Sequence, residues 1–307
     1  MALKEISRVD TCYVCGSRKI KTLKDQQGFI HLICKNCHLL RLHPNYIVPT
    51  KDFYTDDYFN GTMFQKTKGK IGYPESYSSI SESHRVGQYK QYASQVRGLF
   101  KNNNLQQLRV LDFGCSYGSF LKLLKEQIND VEIHGIEVND EICKKASSNL
   151  DGAPIYCLDL KKDDKRMVPR NYFDMITLLD VIEHLDDPRD YLKVLAQCAK
   201  AKGYLLLSTP NIESLNAKLY GSRWILHSPP YHMYYFGPKS ITILLQQSGW
   251  KIEYFFTERT IFHNERYGLE TRLGKLIRFI FGNHICDIIT NRILKIGSVM
   301  TIVAQKY

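Results

Sequence analysis

The chain has 307 residues and carries 42 Lys and Arg against 31 Asp and Glu, a net charge of +11. This length predicts about two domains, or one large domain with an appendage. The hydrophobic content of 44% excludes a largely disordered chain. No uncharged apolar run reaches the ~18 residues that a membrane-spanning helix needs.

The excess positive charge lies towards the two ends of the chain. Residues 1–45, 46–106 and 270–307 contribute +5, +3 and +4, whereas residues 107–269 contribute −1. A basic excess favours nucleic acid, an anionic membrane surface or a phosphorylated substrate as partner. A basic rim around a neutral middle suits a diphosphate-bearing small molecule at least as well as a long nucleic acid.

The N-terminal residues and the cysteines indicate the cellular compartment in which the protein is expected. No signal peptide is expected, because the charged residues 1–10 are not followed by an apolar stretch. Among the nine cysteines, Cys143, Cys157, Cys198 and Cys286 lie inside apolar segments, which suits reduced thiols. We therefore expect a cytoplasmic protein, with peripheral contact to the inner face of the membrane as an option.

Two cysteine pairs stand in the first 45 residues, Cys12 with Cys15 and Cys34 with Cys37. Eighteen residues separate the pairs, which is within the C-x2-C-x15–20-C-x2-C zinc pattern. Four thiolates close a tetrahedral site and leave no open position for catalysis. The spacing therefore predicts a structural zinc ribbon over residues 1–45, with a short strand at 28–33 between the two pairs.

Residues 46–106 form a tyrosine-rich linker followed by one predicted helix. Apolar residues are sparse up to about residue 83 and then recur at helical spacing from about 82 to 100. We expect this segment to cover the functional site of the domain that follows.

From residue 107 the chain alternates between apolar strands and helical segments. The predicted strands lie at 108–113, 133–138, 155–158, 173–179, 204–208, 251–257 and 298–305. Such alternation indicates an α/β fold with a doubly wound, Rossmann-like, mostly parallel seven-stranded sheet. The predicted domain covers 107–307 and includes a helical insertion at about 269–296.

A glycine turn joins the first of these strands to a helix. Gly114 and Gly118 follow Asp112 and are four residues apart, with no third glycine after them. That spacing disfavours NAD, whose turn has the G-x-G-x-x-G pattern. Glu137 ends the next strand, where a carboxylate can accept hydrogen bonds from the two ribose hydroxyls of a nucleoside.

This turn resembles the first motif of class I S-adenosylmethionine-dependent methyltransferases, D-x-G-C-G-x-G, with Ser116 in place of the middle glycine. Later segments resemble the family's fourth strand with its D-x-x-E-H-L-x-x-P continuation, its fifth strand, and the stretch before its penultimate strand. The resemblance implies S-adenosylmethionine as cofactor, with Glu137 on the ribose and Asp159 beside the adenine amino group. The implied cofactor residues are Asp112, Gly114, Cys115, Gly118, Glu137, Asp159 and Asp180.

The resemblance narrows to a subset in which a cysteine zinc module precedes this domain. That subset includes sugar C-methyltransferases and enzymes of surface-polysaccharide biosynthesis, some of which carry a further C-terminal domain. The implied substrate is a nucleotide-linked sugar or a lipid-linked saccharide. Because this chain is shorter than those sugar enzymes, the resemblance does not imply that it shares the exact substrate of any one of them. The acceptor atom and the oligomeric state are left open.

Methyl transfer to a hydroxyl or a carbon acid needs a base, and histidine is the usual side chain. His184 follows the fourth strand and His232 follows the fifth, so both are candidates, with a structural role as the alternative for each. Tyr231 is a candidate for positioning the substrate or for apolar packing. Residues 228–231, S-P-P-Y, are interpreted as a rigid loop that presents Tyr231 and His232.

A second chemistry uses the same region. Asp180, Glu183 and His184 would share one face if helical, and His232 could join them to hold Mg²⁺ or Mn²⁺. Some quinone-precursor and small-RNA methyltransferases resemble this arrangement, with Glu at the position of Asp180. Glu183 is therefore included among the catalytic candidates.

Three further alternatives remain at this point. The basic segment 269–295 is either an amphipathic helix on an anionic membrane or a helical insertion packed on its own domain. The chain could instead be an RNA methyltransferase that binds through the ribbon and the basic rim, or a non-catalytic scaffold. Retained acidic residues at the cofactor positions favour an enzyme.

Overall fold

The computed structural model describes residues 8–59, 80–101, 107–161, 163–258 and 296–307. The predicted insertion at about 269–296 lies almost entirely outside these residues, as does the middle of the predicted linker. None of the helices in the described part of the chain is long and apolar enough to cross a membrane.

The central element is a seven-stranded sheet. Its strands are β4 (Leu108–Phe113), β5 (Val131–Glu137), β6 (Ile155–Cys157), β7 (Phe173–Leu179), β8 (Ala199–Pro210), β10 (Trp250–Glu258) and β11 (Val299–Lys306). They lie in the order β10-β11-β8-β7-β4-β5-β6. β4 pairs in parallel with β5 and β7, and β5 pairs in parallel with β6. The predicted α/β, Rossmann-like class is confirmed, with seven strands as expected.

Helices precede the central sheet in the chain and connect its strands. They are α1 (Thr50–Phe53), α2 (Asp56–Phe59), α3 (Ile80–Phe100), α4 (Ser119–Gln127), α5 (Asp140–Asn149), α6 (Pro188–Cys198), α7 (Leu215–Tyr220) and α8 (Pro238–Gln247). The amphipathic pattern of α4 places Phe120, Leu121 and Leu124 in the core. All seven residues of β7 are buried, as a central strand covered on both faces requires.

A second, four-stranded sheet has the order β1-β2-β3-β9. Its strands are β1 (Ile20–Lys24), β2 (Ile30–Cys34), β3 (Leu40–Leu42) and β9 (Tyr234–Tyr235). β3 pairs antiparallel with β9, Leu40 with Tyr235 and Arg41 with Tyr234. The cysteine-rich ribbon is thus continued by a strand from the C-terminal half of the chain.

The chain divides into two compact units. One consists of residues 1–47, 180–189 and 206–305, and the other of residues 48–179, 190–205 and 306–307. The first contains the ribbon and both candidate histidines, and the second contains the glycine turn. The boundaries of these units differ from those of the three segments 1–45, 46–106 and 107–307 that the sequence predicts. The three-segment division stays a prediction.

One expectation about the thiols is wrong. Cys143 on α5 and Cys157 at the end of β6 form a disulfide, with their Cα atoms 5.9 Å apart. The spacing arises because α5 lies between β5 and β6 and packs on both strands. The apolar setting of the two residues had suggested reduced thiols, but apolar sequence context does not reveal which side chains meet.

Candidate functional site

The glycine turn has a backbone that ordinary side chains rarely adopt. Gly114, Ser116 and Gly118 have φ angles of +76°, +49° and +79°. A Cβ atom at Gly118 would lie 2.7 Å from Cδ1 of Leu150, so space as well as φ requires glycine there. Ser116 adopts the left-handed conformation that glycine would favour, which shows that the departure from the family pattern is compatible with the same turn.

Glu137 closes this turn from the neighbouring strand. Its Oε2 accepts a hydrogen bond from the Ser116 amide at 3.0 Å, and its Oε1 accepts one from the Val138 amide at 2.8 Å. Burial raises the pKa of Glu137, and these backbone donors oppose the rise. The predicted ribose-binding carboxylate is therefore fixed by the turn that would hold the rest of the cofactor.

Asp112 is buried beside Glu137. Thr177 on β7 donates its hydroxyl proton to Oδ1 of Asp112 at 2.6 Å. The pKa of Asp112 is raised to about 7, mainly by burial; the hydrogen bond from Thr177 opposes this rise and the charge of Glu137 adds to it. A carboxyl group so perturbed is a candidate for binding a cation.

Asp159 is held by two groups. The Tyr191 hydroxyl donates to its Oδ1 at 2.8 Å, and the Lys161 amide donates to the same oxygen at 2.9 Å. The carboxylate is 3% exposed. Its predicted contact with an adenine amino group stays a prediction, made more specific by the fixed orientation of the side chain.

One group of residues near the turn carries no recognisable sequence motif. Asn139 caps α5 through the Ile142 amide and donates its Nδ2 protons to the Tyr54 carbonyl and to Oδ1 of Asp56. Phe59 meets Tyr117 of the turn edge to face, with ring centroids 6.3 Å apart. Asn139 and Tyr117 thus contact the segment that contains helices α1 and α2, and the expectation that residues 46–106 cover the site stays a prediction.

The four ribbon cysteines converge as the spacing predicts. The Sγ atoms of Cys12 and Cys37 are 3.5 Å apart, those of Cys15 and Cys34 are 3.6 Å apart, and all four lie within 4.8 Å of one another. Backbone and side-chain N–H groups of Cys15 and Asn36 point at the sulfurs. Such a donor set fits Zn²⁺ in a closed tetrahedral site.

The two candidate histidines form a buried pair. Nδ1 of His184 lies 2.8 Å from the Tyr231 carbonyl oxygen, and Nδ1 of His232 lies 2.8 Å from the Leu226 carbonyl oxygen. A carbonyl oxygen only accepts, so each neutral ring carries its proton on Nδ1 and has its lone pair on Nε2. Burial and the neighbouring His184 lower the pKa of His232 well below its ordinary value.

Glu183 completes a group with these histidines. Donor atoms of Glu183, His184 and His232 all lie within 4.8 Å of one another. Asp180 is not part of this group, because Ile182–His184 is a 3-10 turn rather than the start of an α-helix. Instead Asp180 has a φ angle of +54° and accepts a hydrogen bond from the Ser208 hydroxyl at 2.8 Å.

Tyr231 contributes through its backbone. Its side chain is 5% exposed, and its carbonyl oxygen fixes the ring of His184. The Ser228 carbonyl accepts a hydrogen bond from the His232 amide at 2.8 Å, which closes a turn over residues 228–232. Substrate positioning by the Tyr231 ring stays a prediction.

The ribbon contacts both segments that carry the histidines. The Tyr13 hydroxyl donates to Oδ1 of Asp187 at 2.6 Å, and the guanidinium of Arg189 lies 4.6 Å from the centre of the Tyr13 ring. β3 pairs with β9, which begins two residues after His232. The ribbon therefore supports the position of His184 and of His232.

These features define a class I S-adenosylmethionine-dependent methyltransferase. The strand order is that of a doubly wound sheet, and the glycine turn with its acidic partner stands at the end of the first strand of the fold. The family model described as a methyltransferase domain matches residues 84–254, more than half of the chain. The chain belongs to this family.

Curated relatives match the chain at low identity. A ubiquinone biosynthesis O-methyltransferase of Shewanella sp. (strain ANA-3) is 26% identical over 126 residues, which cover 40% of this chain and 52% of that protein. A protein of the same description from Bradyrhizobium diazoefficiens is 28% identical over 149 residues, covering 46% and 54%. Each match spans about half the length of the relative.

Solved structures show the same kind of similarity. A SAM-dependent methyltransferase from Archaeoglobus fulgidus aligns with a TM-score of 0.48 and 22% identity, covering 75% of this chain and 100% of that one. A magnesium protoporphyrin IX methyltransferase from Synechocystis PCC 6803, with bound SAH, aligns with a TM-score of 0.49 and 18% identity, covering 82% and 97%.

Proposed function

We propose that the protein transfers a methyl group from S-adenosylmethionine to a hydroxyl group of a nucleotide-linked sugar or a related surface-polysaccharide precursor. The observation that carries the proposal is the buried histidine pair, in which Nδ1 of each ring faces a backbone carbonyl, so that a neutral His232 has its basic lone pair on Nε2. Removing a proton from a hydroxyl is what such an imidazole can do.

The residues of the second compact unit fit the cofactor. Two buried carboxylates, Glu137 at the end of β5 and Asp159 just after β6, would accept hydrogen bonds from the hydroxyl and amino groups of an adenosine. Asp112, ionised only above about pH 7, would bind one of the positive charges of S-adenosylmethionine. When bound, the cofactor supplies an electrophilic methyl group and its own leaving group.

The chain's own contribution to the reaction is orientation and proton removal. A neutral His232 accepts the hydroxyl proton at Nε2, and the lowered pKa keeps that lone pair unprotonated at neutral pH. The negative charge of Asp180 raises the pKa of His232, against the effect of burial, and so favours the imidazolium that forms when the proton is taken up. The Leu226 and Tyr231 carbonyls hold the two rings in place, which limits the reorganisation needed during transfer.

A metal-assisted version of the same reaction is the second candidate. Two curated relatives are described as ubiquinone biosynthesis O-methyltransferases, and the donor atoms of Glu183, His184 and His232 are close enough to hold one ion. One carboxylate and two imidazoles suit a borderline divalent cation, which would lower the pKa of a bound hydroxyl. The acceptor would then be a phenol-type hydroxyl.

One assay separates these candidates. The purified full chain is incubated with S-adenosylmethionine and either a set of nucleotide sugars or a catechol, and S-adenosylhomocysteine is measured. A chelator is added that is too weak to remove zinc from the cysteine cluster. Turnover of a nucleotide sugar that continues in its presence supports the first candidate. Turnover of the catechol alone, restored after chelation by Mg²⁺ or Mn²⁺, supports the second. Transfer to RNA alone would refute both.

A further inference from the structure

A further group of metal-type donors lies in the ribbon's own compact unit, distinct from both clusters described above. Asp25 comes from the turn between β1 and β2, His31 from β2, and His227 from the loop that precedes β9. Oδ2 of Asp25 lies 2.8 Å from Nε2 of His31 and 3.1 Å from Nε2 of His227. All three donor atoms lie within 4.8 Å of one another.

The group is shielded from solvent and its rings are fixed. The side chains of Asp25, His31 and His227 are 2%, 0% and 6% exposed. The His227 ring stacks on Tyr235 with centroids 5.0 Å apart and planes at 22°, and the two imidazole centroids are 5.1 Å apart. Burying a carboxylate this deeply is costly unless positive charge or strong hydrogen bonds compensate it.

The backbone orients the carboxylate as a ligand would need. Oδ1 of Asp25 accepts hydrogen bonds from the Gln27 and Phe29 amides, both at 2.9 Å. These bonds occupy one oxygen and turn the other, Oδ2, towards the two imidazoles. Metal-binding carboxylates are commonly supported by such outer hydrogen bonds. Asp25 is therefore arranged as a ligand through a single oxygen.

Protein groups do not complete the hydrogen bonding of this cluster. In the part of the chain that the structure describes, Nδ1 of His31 is buried without a hydrogen-bond partner, and so is Oγ of Ser228, the residue after His227. Buried polar atoms are satisfied in the great majority of cases, so these exceptions point to buried water at the two atoms. Nδ1 lies across the His31 ring from the Nε2 atom that faces Asp25.

We propose that Asp25, His31 and His227 bind a second zinc ion, through Oδ2 and the two Nε2 atoms. Zinc accepts mixed nitrogen and oxygen ligands, and bonds of about 2.0–2.1 Å in a tetrahedron separate ligand atoms by about 3.3 Å. The observed separations of 2.8 and 3.1 Å need to open by only a few tenths of an ångström. A water molecule takes the fourth position. The ion would tie the β1–β2 turn to the loop whose Leu226 carbonyl holds His232.

Metal content and cobalt spectra of the full-length protein test the site. The purified chain should contain about two zinc ions, one in the cysteine cluster and one here. Protein whose cysteine site is already filled with one equivalent of zinc is then titrated with Co²⁺. Visible ligand-field bands should develop without the thiolate-to-cobalt charge-transfer band that marks cysteine coordination. One zinc ion per chain and no new cobalt bands would overturn the proposal.

Variants assign the ligands without reference to methyl transfer. His227→Gln and Asp25→Asn should each reduce the metal content from about two ions to about one and abolish the cobalt bands. His38→Gln is the matched control, since this ribbon histidine is 56% exposed and paired with Glu213. A folded His227→Gln protein that still binds the second ion would refute the assignment.

Discussion

The imidazole rings of His184 and His232 meet edge to face, with centroids 4.6 Å apart and planes at 82°. Each ring is fixed by a carbonyl from the same loop, at Tyr231 and Leu226. Protonation of one ring disfavours protonation of the other, because two neighbouring positive charges repel each other in a buried setting. The two histidines should therefore behave as one functional unit.

Replacing either histidine tests this unit. His184→Asn and His232→Asn should each lower single-turnover methyl transfer by about 10²–10⁴-fold, and the double variant should lose little more. Cofactor affinity, measured by calorimetry, should stay within a few fold of the parent, because neither residue belongs to the glycine turn. His38→Asn serves as an exposed control. Full transfer by the double variant would contradict the proposed base.

If the four ribbon cysteines hold zinc, removing the ion should change the structure around the histidines. Cys37→Ser should release the ion from the cysteine cluster and weaken the pairing of β3 with β9, since structural zinc contributes directly to folding. We expect faster amide exchange at Leu42, whose amide donates to the Met233 carbonyl at 2.8 Å, together with reduced methyl transfer. Cys198→Ser, at a buried cysteine outside the ribbon, should leave both properties unchanged. Unaltered exchange at Leu42 in zinc-free protein would count against the coupling.

Asp112→Asn should stabilise the cofactor-free protein while weakening cofactor binding. The folded pKa of about 7 lies above the ordinary value, so ionisation of Asp112 lowers stability as the pH rises from about 4 to about 7. The full cost, on the order of 4 kcal/mol, is reached above that range. The variant should therefore melt at a higher temperature than the parent at pH 8, and this advantage should vanish near pH 4. Equal melting temperatures at pH 8 would show that the carboxylate is not destabilising.

Gly135 tests the packing behind the turn. A Cβ atom there would lie 2.6 Å from Sγ of Cys115 and 2.9 Å from Cδ1 of Ile155. Gly135→Ala should therefore cost about 1–3 kcal/mol of stability by overpacking and reduce cofactor affinity. The control is Gly98→Ala on α3, where nothing lies within 4 Å of the new atom and a gain of about 0.5–1 kcal/mol is expected. Chemical denaturation of both variants measures the difference.

The elements that continuous apolar runs define could be predicted closely. β4 and β7 have the predicted bounds, because a strand covered on both faces is mostly apolar, even though Arg109, Asp112 and Asp174 interrupt the two runs. The cysteine cluster followed from spacing alone. These features depend on residues close together in the sequence, and local patterns encode them.

The features that could not be predicted depend on contacts between distant residues. β9 has two residues and exists because β3 pairs with it. Thr177 and Tyr191, which hold Asp112 and Asp159, are ordinary residues in apolar segments. Helical spacing predicts that Asp180 lies beside Glu183 and His184. Because Ile182–His184 is a 3-10 turn, Asp180 is not part of that group.

The pairing of Leu40 with Tyr235 has a consequence for folding during translation, because the two residues are far apart in the sequence. During translation the ribbon leaves the ribosome long before β9 exists, so β3 is then an unpaired strand edge. Such an edge is a template for association with other chains. Nascent protein arrested before residue 234 should therefore need protection from aggregation, even when its cysteines have already acquired zinc.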